Sequence, residues 1–177
     1  PEKLFSQRQV KHFFAKIERY LSELVLIKTY DEPDKMLKVL EHTYQRINRL
    51  LEGIDDNSGQ RSDCVRTLRQ LHHQLMQALP GREDTKAKRF YKLWIQDHHQ
   101  LLSPNIDSVL AEEAKKKFLA LINKHFQALL KSRNEKDTGL SHLQQEKILR
   151  FLLDIATESQ DIDKTGQIRQ LLATKPS

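Results

Sequence analysis

Apolar residues recur every three or four positions along most of the chain, which is the period of an amphipathic α-helix. The longest uninterrupted pattern of this kind runs from Ser103 to Arg133. At 100° per residue its apolar side chains cover about half of the helix circumference, more than the ~100° stripe of a helix that packs on one neighbour. We therefore expect helix Ser103–Arg133 to be central and to be contacted on several sides.

The same period predicts six further helices, separated by turns rich in Gly, Pro, Asp and Ser. These helices are predicted from Ser6 to Tyr30, from Asp31 to Gly53, from Ser62 to Leu79, from Asp84 to Leu101, from Ser141 to Ala156 and from Thr165 to Ala173. No segment has the alternating pattern of a strand. The predicted fold is all-α, an irregular bundle of six long helices plus one short C-terminal helix.

Several helix starts carry their own signals. Ser6 with Gln9, and Ser141 with Gln144, have the spacing of a capping box, in which each residue bonds the backbone N–H of the other. Ser62 and Asp84 are predicted to cap the third and fourth helices. A chain of 177 residues fits one domain, so residues 1–177 are expected to form a single helical domain, whose hinge, if it has one, is the turn-forming stretch 53–61.

Composition narrows the class of protein. The one cysteine, Cys64, cannot form an internal disulfide, and no apolar run approaches the ~20 residues of a membrane span. The first residues also lack the apolar core of a secretory signal. We therefore expect a cytoplasmic (intracellular) protein without a transmembrane segment.

Candidate chemistry is sparse. His72, His98 and His125 lie on otherwise apolar helix faces, but no metal-binding motif accompanies them and no second cysteine is available. Cys64 has no catalytic motif around it, and the isolated glycines form no phosphate loop. We expect no cofactor, no metal and no enzymatic activity. A pair of carboxylates that meet only in three dimensions is the catalytic arrangement that the sequence leaves open.

Charge is unevenly distributed along the chain, which carries a formal net charge of +6. Residues 1–60 contain ten basic and ten acidic residues, whereas residues 61–92 contain eight and three, and residues 112–136 contain seven and three. The excess of positive charge therefore lies in the middle of the chain, where it favours phosphates, acidic lipids or an acidic protein.

The polar side of the longest predicted helix carries lysines at a regular spacing. Lys117, Lys124 and Lys131 lie seven residues apart, so each step advances about 10.5 Å and rotates by only about 20°. Together with Lys116 they form what we call the lysine ridge, a candidate site for phosphates or for a partner. We expect the lysine ridge to point into solvent.

The fourth predicted helix carries a second basic face, formed by Lys88, Arg89 and Lys92. Phe90 and Trp94 lie on the opposite side of that helix, so we expect them to belong to the core and not to stack on nucleic-acid bases. This basic face is a candidate extension of the lysine ridge.

Two classes of function agree with this pattern. The first is a helical protein–protein interaction module, such as an adaptor, a chaperone-like protein or a regulatory bundle, which acts through its surface. The second is binding of nucleic acid, or of another anionic phosphate such as an acidic membrane surface, through segments 61–92 and 112–136. The lack of a short helix-turn-helix unit with a polar recognition helix weighs against the second class. We expect the first, with another protein as the partner.

Overall fold

The computed structural model describes residues 6–26, 32–51, 60–99, 101–102, 106–131 and 139–173. Within these ranges 84% of the residues are helical and none lies in a strand, which confirms the all-α prediction. The described residues also contain no helix that is both long and apolar enough to cross a membrane.

Seven α-helices are formed by the described residues. They are α1 Gln7–Leu26, α2 Pro33–Leu51, α3 Gln60–Ala78, α4 Glu83–Trp94, α5 Glu112–Lys131, α6 His142–Glu158 and α7 Ile162–Ala173. A single 3₁₀ turn, Ile106–Ser108, precedes α5 in the described part of the chain. Both α4 and α7 have 12 residues, so the predicted division into six long helices and one short one becomes five long and two short.

The chain divides into two compact units, Pro1–Lys115 and Lys116–Ser177. The division falls within α5, after its first turn. The single-domain expectation stays a prediction. Most of the predicted hinge at 53–61 lies outside the described residues, and its last two positions already belong to α3.

The two capping boxes form as predicted. The backbone N–H of Ser6 donates to Gln9 Oε1 at 2.8 Å, and the Gln9 N–H donates back to the Ser6 hydroxyl at 3.4 Å. Ser141 and Gln144 repeat this exchange at 3.0 and 3.4 Å at the start of α6. The N–H groups at a helix start have no carbonyl partner within the helix, and each capping box supplies a side-chain acceptor for two of them.

The other two predicted caps are wrong. Ser62 lies inside α3, which already includes Gln60. Arg82 occupies the cap position of α4 without a side-chain cap bond, and Asp84 lies in the first turn, where its carboxylate pairs with Arg82 at 3.2 Å. A carboxylate in the first turn still interacts favourably with the positive end of the helix. Asp84 therefore marks the start of α4, but from a position two residues after the cap.

The core of the first unit is built on α3. Both α1 and α2 pack against α3, and over the described residues each packs more extensively against α3 than against the other. The α3 residues that face inward are fully or almost fully buried; they are Cys64, Val65, Leu68, Leu71, His72, Leu75 and Met76. Two helices that share one supporting helix leave a groove between them.

Helix α4 ends at Trp94, well before the predicted end at Leu101. The buried carboxylate of Asp97 accepts hydrogen bonds from the N–H groups of Leu101 and Leu102 at 2.9 and 3.0 Å. Asn48 of α2 donates to the Gln96 carbonyl at 2.8 Å. These side chains offer the backbone an alternative to further helical bonds, as Asp and Asn commonly do.

Helix α5 begins at Glu112, so the predicted start at Ser103, which lies outside the described residues, is too early for a continuous helix. The 3₁₀ turn at Ile106–Ser108 lies between. Ile106, Val109 and Leu110 are all buried there, which explains why their spacing resembled a helical face. A short 3₁₀ turn places residues three apart on one side, as an α-helix nearly does.

In the second unit α6 packs against α7, and Phe118 of α5 meets Phe151 of α6 edge to face, with ring centroids 5.9 Å apart. Phe118 and Ile122 are fully buried. Leu121 is only half-buried and Leu130 is exposed, so the apolar face of α5 is narrower than predicted. Whether α5 is central to the whole chain stays a prediction.

Candidate functional site: an apolar groove with a basic edge

A groove of about 670 Å³ runs between α1 and α2 in the first unit. Apolar side chains form most of its surface and basic side chains lie along it. Its lining residues are Phe13, Lys16, Ile17, Tyr20, Lys38, Val39, His42, Thr43, Arg46 and Ile47. We call this feature the α1/α2 groove.

The α1 wall follows from helical spacing. Phe13, Ile17 and Tyr20 lie at positions i, i+4 and i+7, so they project from one side of the helix. That side is rotated by roughly 60–120° from the buried Phe14, at 100° per residue. Phe13 and Ile17 are consequently only half-buried.

The α2 wall consists of two adjacent rows with a spacing of four residues. Val39, Thr43 and Ile47 form the inner row, and Lys38, His42 and Arg46 form the outer row. We call the outer row the basic edge. Each step of four advances about 6 Å and rotates by about 40°, so both rows follow the groove along its length.

Two large apolar side chains in the groove remain open to solvent. Tyr20 is 38% exposed and Val39 is 42% exposed. Scattered exposed apolar residues are normal on a protein surface, but here they continue inward into Phe13, Ile17 and Ile47 as one surface. Contiguous apolar patches of this kind mark interaction sites more often than isolated residues do.

Two carboxylates of α2 lie outside the groove lining and are held in ion pairs. Asp34 and Glu41 bind Arg89 of α4: Arg89 Nε lies 2.6 Å from Glu41 Oε1, and Arg89 Nη1 lies 2.5 Å from Asp34 Oδ1. Asp34 also pairs with Lys38 of the basic edge. Burial by itself would lower the pKa of Arg89, but the two carboxylates outweigh it and raise that pKa. Hydrogen bonds from Lys38 and then from Arg89 lower the pKa of Asp34.

This ion-pair network corrects one predicted site residue. Arg89 was predicted to lie on an open basic face, yet its side chain is only 17% exposed and its guanidinium is occupied by the two α2 carboxylates. Arg89 therefore joins α4 to α2. Its neighbours Lys88 and Lys92 are exposed, as their positions on the helix predicted.

All four residues of the lysine ridge are exposed on α5: Lys116, Lys117, Lys124 and Lys131. They belong to the second unit, whereas Lys88 and Lys92 belong to the first. The predicted extension of the ridge by the α4 face stays a prediction.

The three histidines singled out from the sequence occupy different environments. Burial, together with the nearby positive charge of Arg89, lowers the pKa of His72 to about 4. Partial burial, and then the charge of Lys124, lowers the pKa of His125. His98 is exposed, which contradicts its predicted inward position, because α4 ends before reaching it. Within the described residues no cluster of three or more His, Cys, Asp or Glu side chains could hold a metal ion.

Cys64 and the buried tyrosine show no feature of a catalytic group. Burial, with a smaller effect of Glu18, raises the pKa of the Cys64 thiol to about 11, so at neutral pH the reactive thiolate is scarce. Burial also raises the pKa of the Tyr44 hydroxyl, and the neighbouring Asp97 carboxylate adds to this effect. Both groups behave as members of a packed core.

A second cavity, of about 410 Å³, lies between α2 and the end of α4. It is more polar than the α1/α2 groove, and its lining residues are Tyr44, Gln45, Asn48, Arg49, Leu93, Gln96 and His98. Asn48 bonds the backbone at Gln96 and also accepts from the His99 N–H at 3.4 Å. Its polar groups therefore serve to hold the chain that follows α4.

Sequence reasoning missed the α1/α2 groove because residues 1–60 are balanced in total charge. The signal was present in the spacing: Lys38, His42 and Arg46 lie four apart, beside an equally spaced row of less polar residues.

Comparison with protein families, with curated proteins and with solved structures gives no match for this chain. The geometry of the α1/α2 groove is therefore the observation that bears most directly on function.

Proposed function

We propose that this protein is a non-catalytic protein–protein interaction module, an adaptor or regulatory bundle, and that its α1/α2 groove binds a helix of a partner protein. The observation that carries the proposal is the continuous apolar surface between two helices, in which Tyr20 and Val39 stay substantially exposed. Amphipathic helices commonly bind in grooves of this type, with apolar residues at i, i+3 or i+4, and i+7 inserted as anchors.

The length of the groove fits a short helix. Its α1 wall spans Phe13 to Tyr20 and its α2 wall spans Lys38 to Ile47. At 1.5 Å per residue these walls are about 10 and 14 Å long, which equals two to three helical turns. A partner helix that presents anchors at i, i+4 and i+7 covers about 10 Å, the same length.

Affinity capture with one groove variant tests this proposal. Val39→Glu places a carboxylate at an exposed position of α2, where it should weaken burial of a partner's apolar side chains without unfolding the helix. Leu143→Glu is the matched control, because Leu143 is 56% exposed on α6 and lies outside the groove. Each tagged protein would be incubated with extract from the native source, and bound proteins quantified by mass spectrometry.

We expect at least one partner that wild type and Leu143→Glu retain and that Val39→Glu loses by about tenfold or more. Circular dichroism of all three proteins should show the same helix content. If Val39→Glu keeps every partner of the wild type, the groove is not the docking surface and the proposal fails.

A second candidate function is supported by the exposure of the lysine ridge on α5. A straight row of exposed lysines favours binding to phosphate groups of nucleic acid or of an anionic membrane. Triple substitution of Lys117, Lys124 and Lys131 by Glu should then abolish retention on heparin while leaving helix content unchanged. If the ridge is only solvated, wild type will elute from heparin below physiological salt.

A further inference from the structure

We infer that the helix bound by the α1/α2 groove is acidic on its flanks, so that the partner segment is an acidic amphipathic helix. This inference rests on the proposed function and specifies the chemistry of the partner. Its carboxylates would face the basic edge of α2 and Lys16 of α1, while its apolar residues fill the space between Phe13, Tyr20 and Val39.

The charges that line the groove all have the same sign. Three of its lining residues, Lys16, Lys38 and Arg46, are cations, and none of the ten is acidic. Lys38 pairs with Asp34 at 2.6 Å. Within the described residues neither Lys16 nor Arg46 has an ion-pair partner, so both cations are open to a carboxylate from another molecule.

The carboxylates of α2 neutralise only the Lys38 position of this edge. Asp34 is shared between Lys38 and Arg89, while Glu41, whose side chain is 16% exposed, is held by Arg89 of α4. Lys16 and Arg46 are therefore the groove cations that no carboxylate of the described residues pairs with. Such one-signed edges around an apolar surface select partners of opposite charge and exclude partners of like charge.

Spacing defines the complementary sequence. The basic edge repeats every four residues, about 6 Å, along α2. A partner helix that lies along the groove presents carboxylates at the same interval when Asp or Glu occurs at i, i+4 and i+8. Apolar anchors occupy the adjacent face of the partner helix and start from a different residue j, at positions j, j+3 or j+4, and j+7.

Selection from a displayed library of random 18-residue peptides tests the inference with a defined probe. Selection would use wild type at low salt, and each enriched peptide would be measured against Val39→Glu to identify those that need the groove. Enrichment of groove-dependent peptides with net negative charge and the helical pattern described above supports the inference. Groove-dependent peptides that are neutral or basic overturn it and leave the proposed function intact. A lack of any groove-dependent peptide overturns both.

Charge reversal in the protein provides the second readout. For the best groove-dependent acidic peptide, Lys16→Glu combined with Arg46→Glu should weaken binding by at least about tenfold, because two attractions become repulsions. Lys88→Glu combined with Lys92→Glu is the matched control: it changes net charge equally, at exposed positions of α4. Equal loss in both double variants, or no loss in the first, contradicts a specific role for the basic edge.

Discussion

His72 allows the packing of the first unit to be tested by titration. The ring lies on the inner face of α3, 4% exposed, with its centroid 6.0 Å from that of Phe90. Burial, followed by the charges of Arg89 and His73, lowers its pKa from the ordinary value of 6.5 to about 4. The folded protein therefore holds this ring neutral at pH values where an unfolded chain binds a proton.

The sign follows from proton linkage. Between pH 6.5 and about pH 4 the unfolded chain binds a proton at His72 and the folded chain does not, so the free energy of unfolding falls as the pH is lowered through this window. Above pH 6.5 the ring is neutral in both the folded and the unfolded chain, so it does not change the free energy of unfolding as the pH rises further. One pKa unit corresponds to 1.36 kcal/mol, so the whole window amounts to about 3 kcal/mol.

Urea denaturation at a series of pH values from 7.5 to 4.0 measures this loss. The fluorescence of Trp94, the one tryptophan of the chain and a buried residue of the same unit, reports unfolding. Wild type should lose about 3 kcal/mol more than His72→Phe between pH 6.5 and pH 4. Any overpacking by the larger ring lowers the stability of the variant equally at all pH values.

The difference between wild type and His72→Phe in how the free energy of unfolding changes with pH isolates the contribution of His72 from that of other titrating groups. The pKa of His125 is also lowered, and that of Asp34 is lowered from 3.8, so the carboxylate acts mainly below this window. These contributions are common to wild type and variant and cancel in the difference. If His72→Phe loses as much stability as wild type, His72 is not packed as described.

Three further predictions concern stability. Phe118→Ala should lower the free energy of unfolding by about 3–5 kcal/mol, because removal of a fully buried ring leaves a cavity, whereas Lys124→Ala should cost less than about 0.5 kcal/mol. Urea melts followed by circular dichroism measure both losses, and equal small losses would contradict the packing of α5. Arg89→Leu should cost about 2 kcal/mol, because it leaves the part-buried Glu41 without its cation and Asp34 with Lys38 alone, and Lys88→Ala should cost close to nothing in the same assay; equal effects would argue against the α2–α4 link. Ser141→Ala should lower stability by about 1 kcal/mol in a thermal melt through loss of the α6 capping box, and an unchanged melting temperature would show that the box is dispensable.

The positions of the helices along the chain were predictable from the sequence because they depend on the local spacing of apolar residues. The apolar period located each of the seven α-helices that the described residues form, and the capping boxes at Ser6 and Ser141 fixed two helix starts to the residue. Both signals act within three or four positions of the chain. Burial of Phe90 and Trp94, and the exposure of the lysine ridge, followed from the same period.

Errors arose where distant residues decide the local structure. The end of α4 depends on Asn48, which bonds a carbonyl 48 positions away in sequence, and on the buried carboxylate of Asp97. Arg89 was taken for an exposed cation because its partners lie on another helix. No periodicity along one helix contains information about these contacts.

The α1/α2 groove was also invisible to residue spacing alone. Phe13 and Ile17 have the spacing of core residues, and the groove exists because both α1 and α2 pack on α3 and leave the sides that face each other only partly covered. The basic edge was hidden by averaging charge over residues 1–60. Charge counted by helix face would have revealed it.

Site-specific photo-crosslinking tests most directly whether the α1/α2 groove is the docking surface. A benzophenone amino acid would replace Val39 in the groove or, in a second protein, Lys124 on the lysine ridge, and each protein would be irradiated in extract from the native source. The groove account predicts a discrete crosslinked partner protein from position 39 that Lys16→Glu with Arg46→Glu abolishes, and no such partner from position 124. A discrete partner obtained from position 124 alone would contradict it.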